Sequence, residues 1–265
     1  ANGFRYSVGV ALSDDKAKVV SYPSNPTNKI GDGVLYKGYT VGDIWGYVTG
    51  GILQEGDFDG VGANGKPLYH GPYFKGGQAY PGYIWYQDLD HDGVITTGLN
   101  TVDDPGDRKV IGNNAPRYRY NITANFQYKG FDLDLMFQGV GKRDYWLSST
   151  SSYWGNGAGS WEVYNNSWTP ERTDAKFPMY GSGTGSYPQT GYLLDASYIK
   201  LKQVILGYTF PRALINKIGL EKLRLNLAAY NLFTISDMPK YYDADYLSDA
   251  YPPKRTFSVG IQVGF

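Results

Sequence analysis

Stretches in which apolar and polar residues alternate constrain the fold of this chain more than any other feature of its sequence. Because successive side chains of a β-strand point to opposite faces, a period of two predicts strands with one apolar face. Helical periodicity is almost absent outside 211–222. The pattern therefore predicts an all-β protein. It is clearest in the last stretch, where five apolar residues alternate with small or polar ones: Phe257, Val259, Ile261, Val263 and Phe265.

The alternation predicts seven strands whose connections differ in length. Two connections are short, at Lys129-Gly130 and 211–221, and three are long, at 54–117, 140–196 and 234–254. Short turns on one side and long loops on the other are typical of outer-membrane β-barrels. A soluble β-sandwich uses the same alternation and stays as the alternative. The predicted strands lie near 4–12, 41–53, 118–128, 131–139, 197–210, 223–229 and 257–265, with 41–53 the weakest.

The connections between the predicted strands can be assigned to the two sides of a membrane. If the chain ends on the periplasmic side, the short turns are periplasmic and the long connections face outside. The segment 13–40 then falls on the periplasmic side, although it is too long for a simple turn. Seven strands are too few to close a bacterial barrel, and an open edge in lipid leaves backbone groups without partners. We therefore expect the chain, 1–265, to be a C-terminal fragment of a transmembrane antiparallel β-barrel, with more strands upstream.

Composition excludes several classes of function. The chain has no Cys, which removes disulfide scaffolds, thiolate zinc sites and Cys nucleophiles. Its net charge is zero, so nothing suggests a nucleic-acid partner. The 26 Tyr and 6 Trp favour apolar surfaces that contact water, as in sugar sites, peptide sites and the aromatic girdles of membrane barrels.

Several motifs resemble, in the same order, those of the SusC/RagA family of TonB-dependent outer-membrane transporters. The resemblance implies a barrel of about 22 strands with an N-terminal plug, of which this chain is roughly the last third. The same resemblance implies that the plug and the segment that contacts TonB would lie outside this chain. The motifs are Gly42–Gly51, Thr173–Pro178, Asp195–Lys202 continuing into Leu206–Pro211, Asn231–Thr234, Tyr251-Pro252, and Arg255-Thr256 with the terminal strand.

The same resemblance implies a function in nutrient import. A SusD-like surface lipoprotein would capture an oligosaccharide, and the TonB complex would drive the plug to rearrange, in the outer membrane of a Gram-negative bacterium. An oligopeptide importer of the RagA type is the first alternative. A soluble, calcium-stabilised sugar-binding β-sandwich is the second. No enzymatic activity is expected, because no pair of catalytic carboxylates stands out and no GxSxG motif is present.

The segment Asp88-Leu89-Asp90-His91-Asp92-Gly93-Val94 begins like a calcium loop of the EF-hand type. Acidic side chains at alternate positions, a Gly at the sixth and a backbone carbonyl at the seventh suit Ca²⁺, with Mg²⁺ as the alternative. Position twelve is Leu99, which cannot close the loop. The resemblance to SusC-like proteins implies an insertion and makes Asp107 the closing ligand, with Asp103 and Asp104 as competitors. The predicted ligands are Asp88, Asp90, Asp92, Asp107 and the carbonyl of Val94.

Two further groups of residues are candidates for binding or assembly. Aromatic residues cluster in 145–168, and Tyr153, Trp154 and Trp161 are candidates for contacting a ligand or partner. Packing within the loop and a girdle at the membrane interface are the alternative for this cluster. Phe265 ends an alternating strand, which resembles the signal that the assembly machinery recognises in outer-membrane barrels. It would equally serve as a lipid-facing residue.

Overall fold

The computed structural model of the protein describes residues 3–31, 33–147, 161–182, 186–240, 242–247 and 253–265. The described residues are mostly β-strands. The strands are β1 (Arg5–Ser13), β2 (Asp43–Tyr47), β3 (Thr49–Ile52), β4 (Phe58–Val61), β5 (Pro67–Tyr69), β6 (Tyr73–Phe74), β7 (Ile84–Tyr86), β8 (Val94–Ile95), β9 (Arg108–Asn113), β10 (Arg117–Tyr128), β11 (Phe131–Lys142), β12 (Asp144–Tyr145), β13 (Leu194–Asp195), β14 (Tyr198–Thr209), β15 (Lys222–Ile235) and β16 (Thr256–Gly264).

Helices are few and short. The helix α1 (Trp161–Asn165) and the helix α2 (Arg212–Ile215) have about one turn each, and short 3₁₀ turns lie at Glu55–Asp57, Thr190–Tyr192 and Asn216–Ile218. No helix among the described residues is both long and apolar enough to cross a membrane. The helical turn predicted within 211–222 is confirmed by α2 and the 3₁₀ turn that follows it.

The chain divides into two compact units. The sheet unit comprises Ala1–Asp15, Pro116–Arg143 and Asp195–Phe265, and the loop unit comprises Lys16–Ala115 and Asp144–Leu194. The sheet unit contains one antiparallel sheet of six strands in the order β1-β10-β11-β14-β15-β16. Lys129 and Gly130 form the two-residue turn between β10 and β11, and both have positive φ, as the right-handed twist of a tight hairpin requires.

The register of the sheet places apolar residues in continuous rows across all six strands. These rows lie on an exposed face: Tyr6 is 69% and Val259 76% accessible to solvent. Rows of polar residues and glycines lie on the opposite face. One apolar row is Tyr6, Phe126, Leu133, Leu206, Leu227 and Val259; the adjacent polar row is Arg5, Gln127, Asp132, Gly207, Asn226 and Gly260. Such an exposed apolar face suits the lipid side of a barrel wall, whereas a sandwich would cover it with a second sheet.

A β-bulge at Lys202 keeps the apolar rows continuous along β14. Leu201 pairs with Phe137, and Gln203 pairs with the preceding residue Met136, so Lys202 is the extra residue. Without this residue, every side chain beyond the bulge would point to the opposite face. The bulge therefore keeps Leu201 on the apolar face while the polar side chains stay together on the other.

The predicted strand 41–53 is not part of the six-stranded sheet. It forms β2 and β3, which pair with β9 and β7 in separate two-stranded sheets of the loop unit. Its glycines explain the difference, because they permit close packing that a side chain would block. A Cβ on Gly46 would lie 2.5 Å from the carbonyl oxygen of Pro188, and one on Gly50 would overlap the ring of Trp85.

This finding corrects the expected position of segment 13–40. Because β1 pairs directly with β10, residues 14–116 form a single long connection, and 13–40 is its first part. Antiparallel order then places this connection at the same end of the sheet as the connections after β11 and β15. The two short turns lie at the other end. The assignment of 13–40 to the periplasmic side was therefore wrong, and the separation of long loops from short turns is consistent throughout the sheet.

Aromatic side chains form much of the core of the loop unit. The ring of Tyr47 contacts those of Phe74, Tyr86 and Tyr187 at centroid distances of 5.5, 5.2 and 5.9 Å. The fully buried Gln189 donates from Nε2 to the hydroxyl of Tyr86 at 3.1 Å. A set of short strands with long connections thus gains an ordered core from packed rings, and the buried hydroxyl of Tyr86 has a hydrogen-bond partner.

Candidate functional site

The acidic segment that follows β7 folds tightly around the carboxylate of Asp88. The amide of His91 donates to Oδ1 of Asp88 at 2.7 Å, and the amide of Gly93 donates to Oδ2 at 2.8 Å. His91 and Gly93 both have positive φ, 62° and 86°. The sharp turn expected at Gly93 is therefore present, and it brings the acidic side chains into one loop.

Asp107 reaches this loop from the start of β9. Its side chain is fully buried, and its two oxygens accept hydrogen bonds from the amides of Leu89 and Thr96, each at 2.7 Å. Carboxylate oxygens of Asp88, Asp90 and Asp107 all lie within 4.8 Å of one another. The structure thus brings together three of the predicted ligands, including the one that the sequence separates most widely from the others.

The other two predicted ligands are Asp92 and the carbonyl of Val94. The carboxylate of Asp92 is not in this group of three, and its Oδ1 accepts from the amide of Val94 at 2.8 Å. Val94 belongs to β8 and pairs in parallel with Tyr73 of β6. Calcium in proteins takes about 6–8 oxygen ligands, so three carboxylates would supply part of a coordination shell.

Asp103 and Asp104, the other candidates for the closing ligand, lie outside the group of three carboxylates. Asp104 accepts hydrogen bonds from the amides of Leu99 and Gly106, at 3.1 and 3.4 Å, and so closes the inserted turn on itself. Asp103 is exposed. Leu99, which occupies position twelve, is 75% exposed. The insertion is therefore a separate turn, and Asp107 is the carboxylate that returns to the acidic loop.

Electrostatics within the group differ between its members. Burial opposes ionisation of Asp88, but the amides of Gly93 and His91 outweigh it and lower the pKa of that carboxyl. Burial, followed by the charges of Asp107 and Asp92, raises the pKa of Asp90. Neighbouring carboxylates repel one another, and a bound cation would reverse the effect on Asp90. The donor set of three oxygen ligands therefore suits a hard cation.

Trp161 begins α1 and is 77% exposed. Its ring packs edge-to-face against Tyr164 at 5.8 Å, and Tyr164 packs in the same way against Tyr180 at 5.7 Å. We call these three residues the aromatic ladder. Tyr153 and Trp154, the other two residues predicted for this role, lie outside the described residues. In contrast, Trp168 of the same predicted cluster is buried, and its indole N–H donates to Oε1 of Gln54 at 2.9 Å.

Phe265 follows β16 at the end of the chain and is 88% exposed. It continues the alternation of the apolar residues in β16. The position is compatible with both readings of this residue, recognition during assembly and contact with lipid.

Sequence reasoning missed a charged cluster on the polar face of the sheet unit. Lys200 of β14 is 1% exposed, and its Nζ lies 2.7 Å from Oδ2 of Asp243 in the connection between β15 and β16. The available signal was the occurrence of Lys200 and Lys202 within an otherwise apolar strand. Nothing in the strand pattern identified the acidic partners.

Comparisons with known proteins agree with this fold. No family model matches the chain. The TonB-dependent receptor P3 of Formosa agariphila is 28% identical over 99% of this chain. The TonB-dependent receptor SusC of Bacteroides thetaiotaomicron is 26% identical over 82% of it. The resemblance to SusC/RagA-type TonB-dependent receptors is confirmed. This chain spans 27% of the length of TonB-dependent receptor P3 and 23% of the length of SusC.

Solved structures of RagAB show the same fold. The structure of the RagAB peptide transporter covers 99% of this chain with a TM-score of 0.62 and 18% identity. The RagAB peptide importer in its closed-closed state gives a TM-score of 0.63 and 17% identity over the same share. In both cases this chain covers 27% of the solved one. The predicted fold class, all-β with the sheet of a transmembrane antiparallel β-barrel fragment, is confirmed, with six of the seven predicted strands in that sheet.

Proposed function

We propose that this chain is part of a TonB-dependent importer that carries oligosaccharides across the outer membrane of a Gram-negative bacterium. The observation that supports this most is the six-stranded sheet, whose exposed apolar rows and opposite polar rows suit a wall between lipid and a channel. Relatives along nearly the whole chain bear the name TonB-dependent receptor. The parent protein would work with a SusD-like surface lipoprotein and draw energy from the TonB complex. Its action would be binding and gating, without covalent chemistry.

The aromatic ladder is the candidate surface for contacting the ligand. Rings exposed on a loop offer apolar faces to a ligand that also needs contact with water. Trp161 and Tyr164 are both more than half exposed, and their rings pack edge-to-face. Aromatic side chains have few rotatable bonds, so ordering them on binding costs little conformational entropy.

An oligopeptide is the second candidate for the ligand. It is favoured by the fold likeness to the RagAB peptide transporter, at a TM-score of 0.62. Aromatic rings also contact peptide side chains, so the ladder alone does not separate the two classes of ligand.

The experiment that separates them is mass spectrometry of small molecules that co-purify with the detergent-solubilised parent assembly. A preparation of an unrelated outer-membrane barrel from the same cells gives the background. A series of masses that differ by one hexose unit, above this background, supports the import of oligosaccharides. A heterogeneous set of peptides would assign the protein to the peptide importers, and the proposal of a sugar ligand would be wrong.

The acidic loop has a structural role in this proposal. Asp88, Asp90 and Asp107 would hold a calcium ion, with Asp92 and the carbonyl of Val94 as further predicted ligands. Support comes from the three carboxylates that converge within 4.8 Å. The cation would neutralise their repulsion and join the loop after β7 to the start of β9. Its contribution would be to the order of the loop unit, and it would take no part in a reaction.

A further inference from the structure

The connection between β15 and β16 carries two acidic residues onto the polar face of the sheet. Asp243 accepts from Nζ of the buried Lys200 at both oxygens, at 2.9 and 2.7 Å. Asp245 accepts from Nζ of Lys202 at 2.7 Å. The acidic residues therefore lie over β14, which is separated from β16 by the whole of β15. We call residues 236–240 and 242–247 the returning loop.

The contacts of Asp245 extend across a further strand. Its Oδ1 accepts from the hydroxyl of Tyr198 at 2.6 Å and from Nε2 of Gln138, on β11, at 3.3 Å. Nε2 of Gln138 also donates to the hydroxyl of Tyr198 at 3.0 Å. Gln138 pairs with Lys200 in the sheet register, so these side chains share the polar face. The returning loop thus crosses β14 and reaches β11.

The loop is also ordered by its own contacts. The amide of Asp245 donates to Oδ1 of Asp243 at 2.9 Å, and Ser236 donates from Oγ to the carbonyl of Ser197 at 2.8 Å. The ring of Tyr246 lies 6.0 Å from Nζ of both Lys200 and Lys202. Ala244, between the two aspartates, is 1% exposed. The loop is therefore packed against the sheet and not merely tethered to it.

The charges in this cluster stabilise the contact between the returning loop and the sheet. Two lysines face two aspartates, and Lys200 also lies 3.6 Å from Oδ2 of Asp245. Burial opposes ionisation of Asp245, but hydrogen bonds from Lys202 and Tyr198 outweigh it and lower the pKa of that carboxyl. Removing one member of a buried ion pair leaves the other charge without a partner, which is far more costly than removing an exposed pair. If the returning loop moved away from the sheet, Lys200 and Asp243 would each lose the partner for their charge.

We infer that the returning loop is a fixed constriction, latched by Lys200 and Asp243 to the polar face of the sheet, which narrows the path of the ligand. The inference rests on the proposed function in one respect, namely that the polar face lines that path. The latch itself depends only on the contacts above. A loop held in this way would stay in place while ligand passes, and so would limit the size of ligand that the channel accepts.

Thiol accessibility in the full-length parent protein tests the latch. The chain contains no Cys, so Ala244→Cys introduces a probe at a buried position, and mass spectrometry assigns the labelled site. We expect slow labelling by a maleimide in the otherwise unchanged protein. With Lys200→Met added, labelling should be roughly tenfold faster or more, because the aspartates lose their buried partner. Lys222→Met, which removes an exposed lysine at the start of β15, is the matched control and should leave the rate unchanged.

Two further variants keep the test decisive. Heat-modifiable migration in gels shows whether each barrel has assembled, and Asp243→Asn releases the same contact from the loop if Lys200→Met fails to assemble. The exchange Lys200→Asp with Asp243→Lys should restore slow labelling. Equal labelling rates in all assembled variants would overturn the latch.

Uptake of a graded series of maltooligosaccharides tests the constriction. Released variants should accept longer members than the unchanged protein, by at least one sugar unit. A released loop with an unchanged size limit would overturn the constriction but not the latch. Failure of the unchanged protein to take up any member would instead count against sugar import, and tryptic peptides of graded length would then replace the series.

Discussion

Arg224 and Asp132 form an ion pair directly over Gly207. Nη2 of Arg224 on β15 lies 2.6 Å from Oδ2 of Asp132 on β11, and β14 with Gly207 runs between these two strands. A Cβ built on Gly207 would overlap both side chains. Because Gly207 has no side chain, the ion pair can reach across β14 from β11 to β15 on the polar face.

Gly207→Val should separate this pair and destabilise the barrel. Overpacking of this kind costs about 1–3 kcal/mol. The measurement is the urea midpoint of the parent protein in detergent or lipid, followed by tryptophan fluorescence. Gly56→Ala is the control, because a Cβ there would meet no atom within 4 Å. If Gly207→Val destabilises a variant that already carries Asp132→Ala by the same amount, the effect does not arise from the ion pair.

Removing the carboxylate of Asp90 should abolish calcium-dependent protection of the loop unit. Asp90→Asn takes one negative oxygen from the group of three, and we expect the affinity for calcium to fall by roughly tenfold or more, because ligand charge sets calcium affinity. Limited proteolysis with calcium and with chelator, mapped over 54–117, measures this. Asp103→Asn is the control, since Asp103 is exposed and outside the group.

Asp92→Asn distinguishes a calcium site that includes Asp92 from one formed by the three converging carboxylates alone. If Asp92 is a ligand, this variant should also lose protection by calcium. If only the three converging carboxylates matter, it should behave like the control. Digestion patterns of the unchanged protein that do not differ with and without chelator would exclude the cation altogether.

The loop unit should lose stability between about pH 10 and 12, in part through Tyr47. Burial raises the pKa of Tyr47 from 10.0 to about 12. The folded protein therefore keeps the phenol protonated where an unfolded chain releases the proton. The resulting stability is fully present below pH 10 and is lost as pH rises through the folded pKa.

Tyr47→Phe keeps the ring packing and removes this titration. Its urea midpoint should decline less than that of the unchanged protein over the same pH range. Tyr164→Phe, at an exposed position of the aromatic ladder, is the control. A parallel decline in Tyr47→Phe and the unchanged protein would show that other groups determine alkaline unfolding.

Trp161→Ala should weaken the binding of an oligosaccharide without changing the stability of the barrel. Loss of an aromatic contact of this kind costs about 1 kcal/mol, or roughly fivefold in affinity. Isothermal titration of the purified parent assembly with the co-purifying sugar measures the effect, and Trp161→Phe should retain much of the affinity. Equal affinity in all three proteins would assign Trp161 to packing of the loop alone.

The sequence pattern predicted the six strands of the sheet well, because the residues of its exposed apolar face and of its polar face alternate along each strand. For example, β16 begins and ends within one residue of the predicted stretch. The strand 41–53 was assigned to the wrong sheet, because local alternation does not reveal the partner of a strand. The packing of Trp85 over Gly50 depends on a contact between residues 35 positions apart.

The candidate site could likewise be predicted only in part from the sequence. Spacing alone identified Asp88, Asp90 and Asp92, but it did not choose among Asp103, Asp104 and Asp107 as the closing carboxylate. The resemblance made that choice, and the structure brings Asp107 to the loop. The contact of Lys200 with Asp243 could not be predicted, because the path of the returning loop determines which carboxylates meet the polar face.

The pairing of β1 with β10 has a consequence for the order in which the sheet forms. Asp14 and Arg117, which form an ion pair where these strands end, are 103 positions apart in the chain. In contrast, β10 and β11 are joined by a two-residue turn, and hairpins of this kind form in about 1–10 μs. Closing a long loop costs more entropy than closing a short one. We therefore expect β1 to dock last among the six strands, after the hairpins that follow it in the chain have already paired.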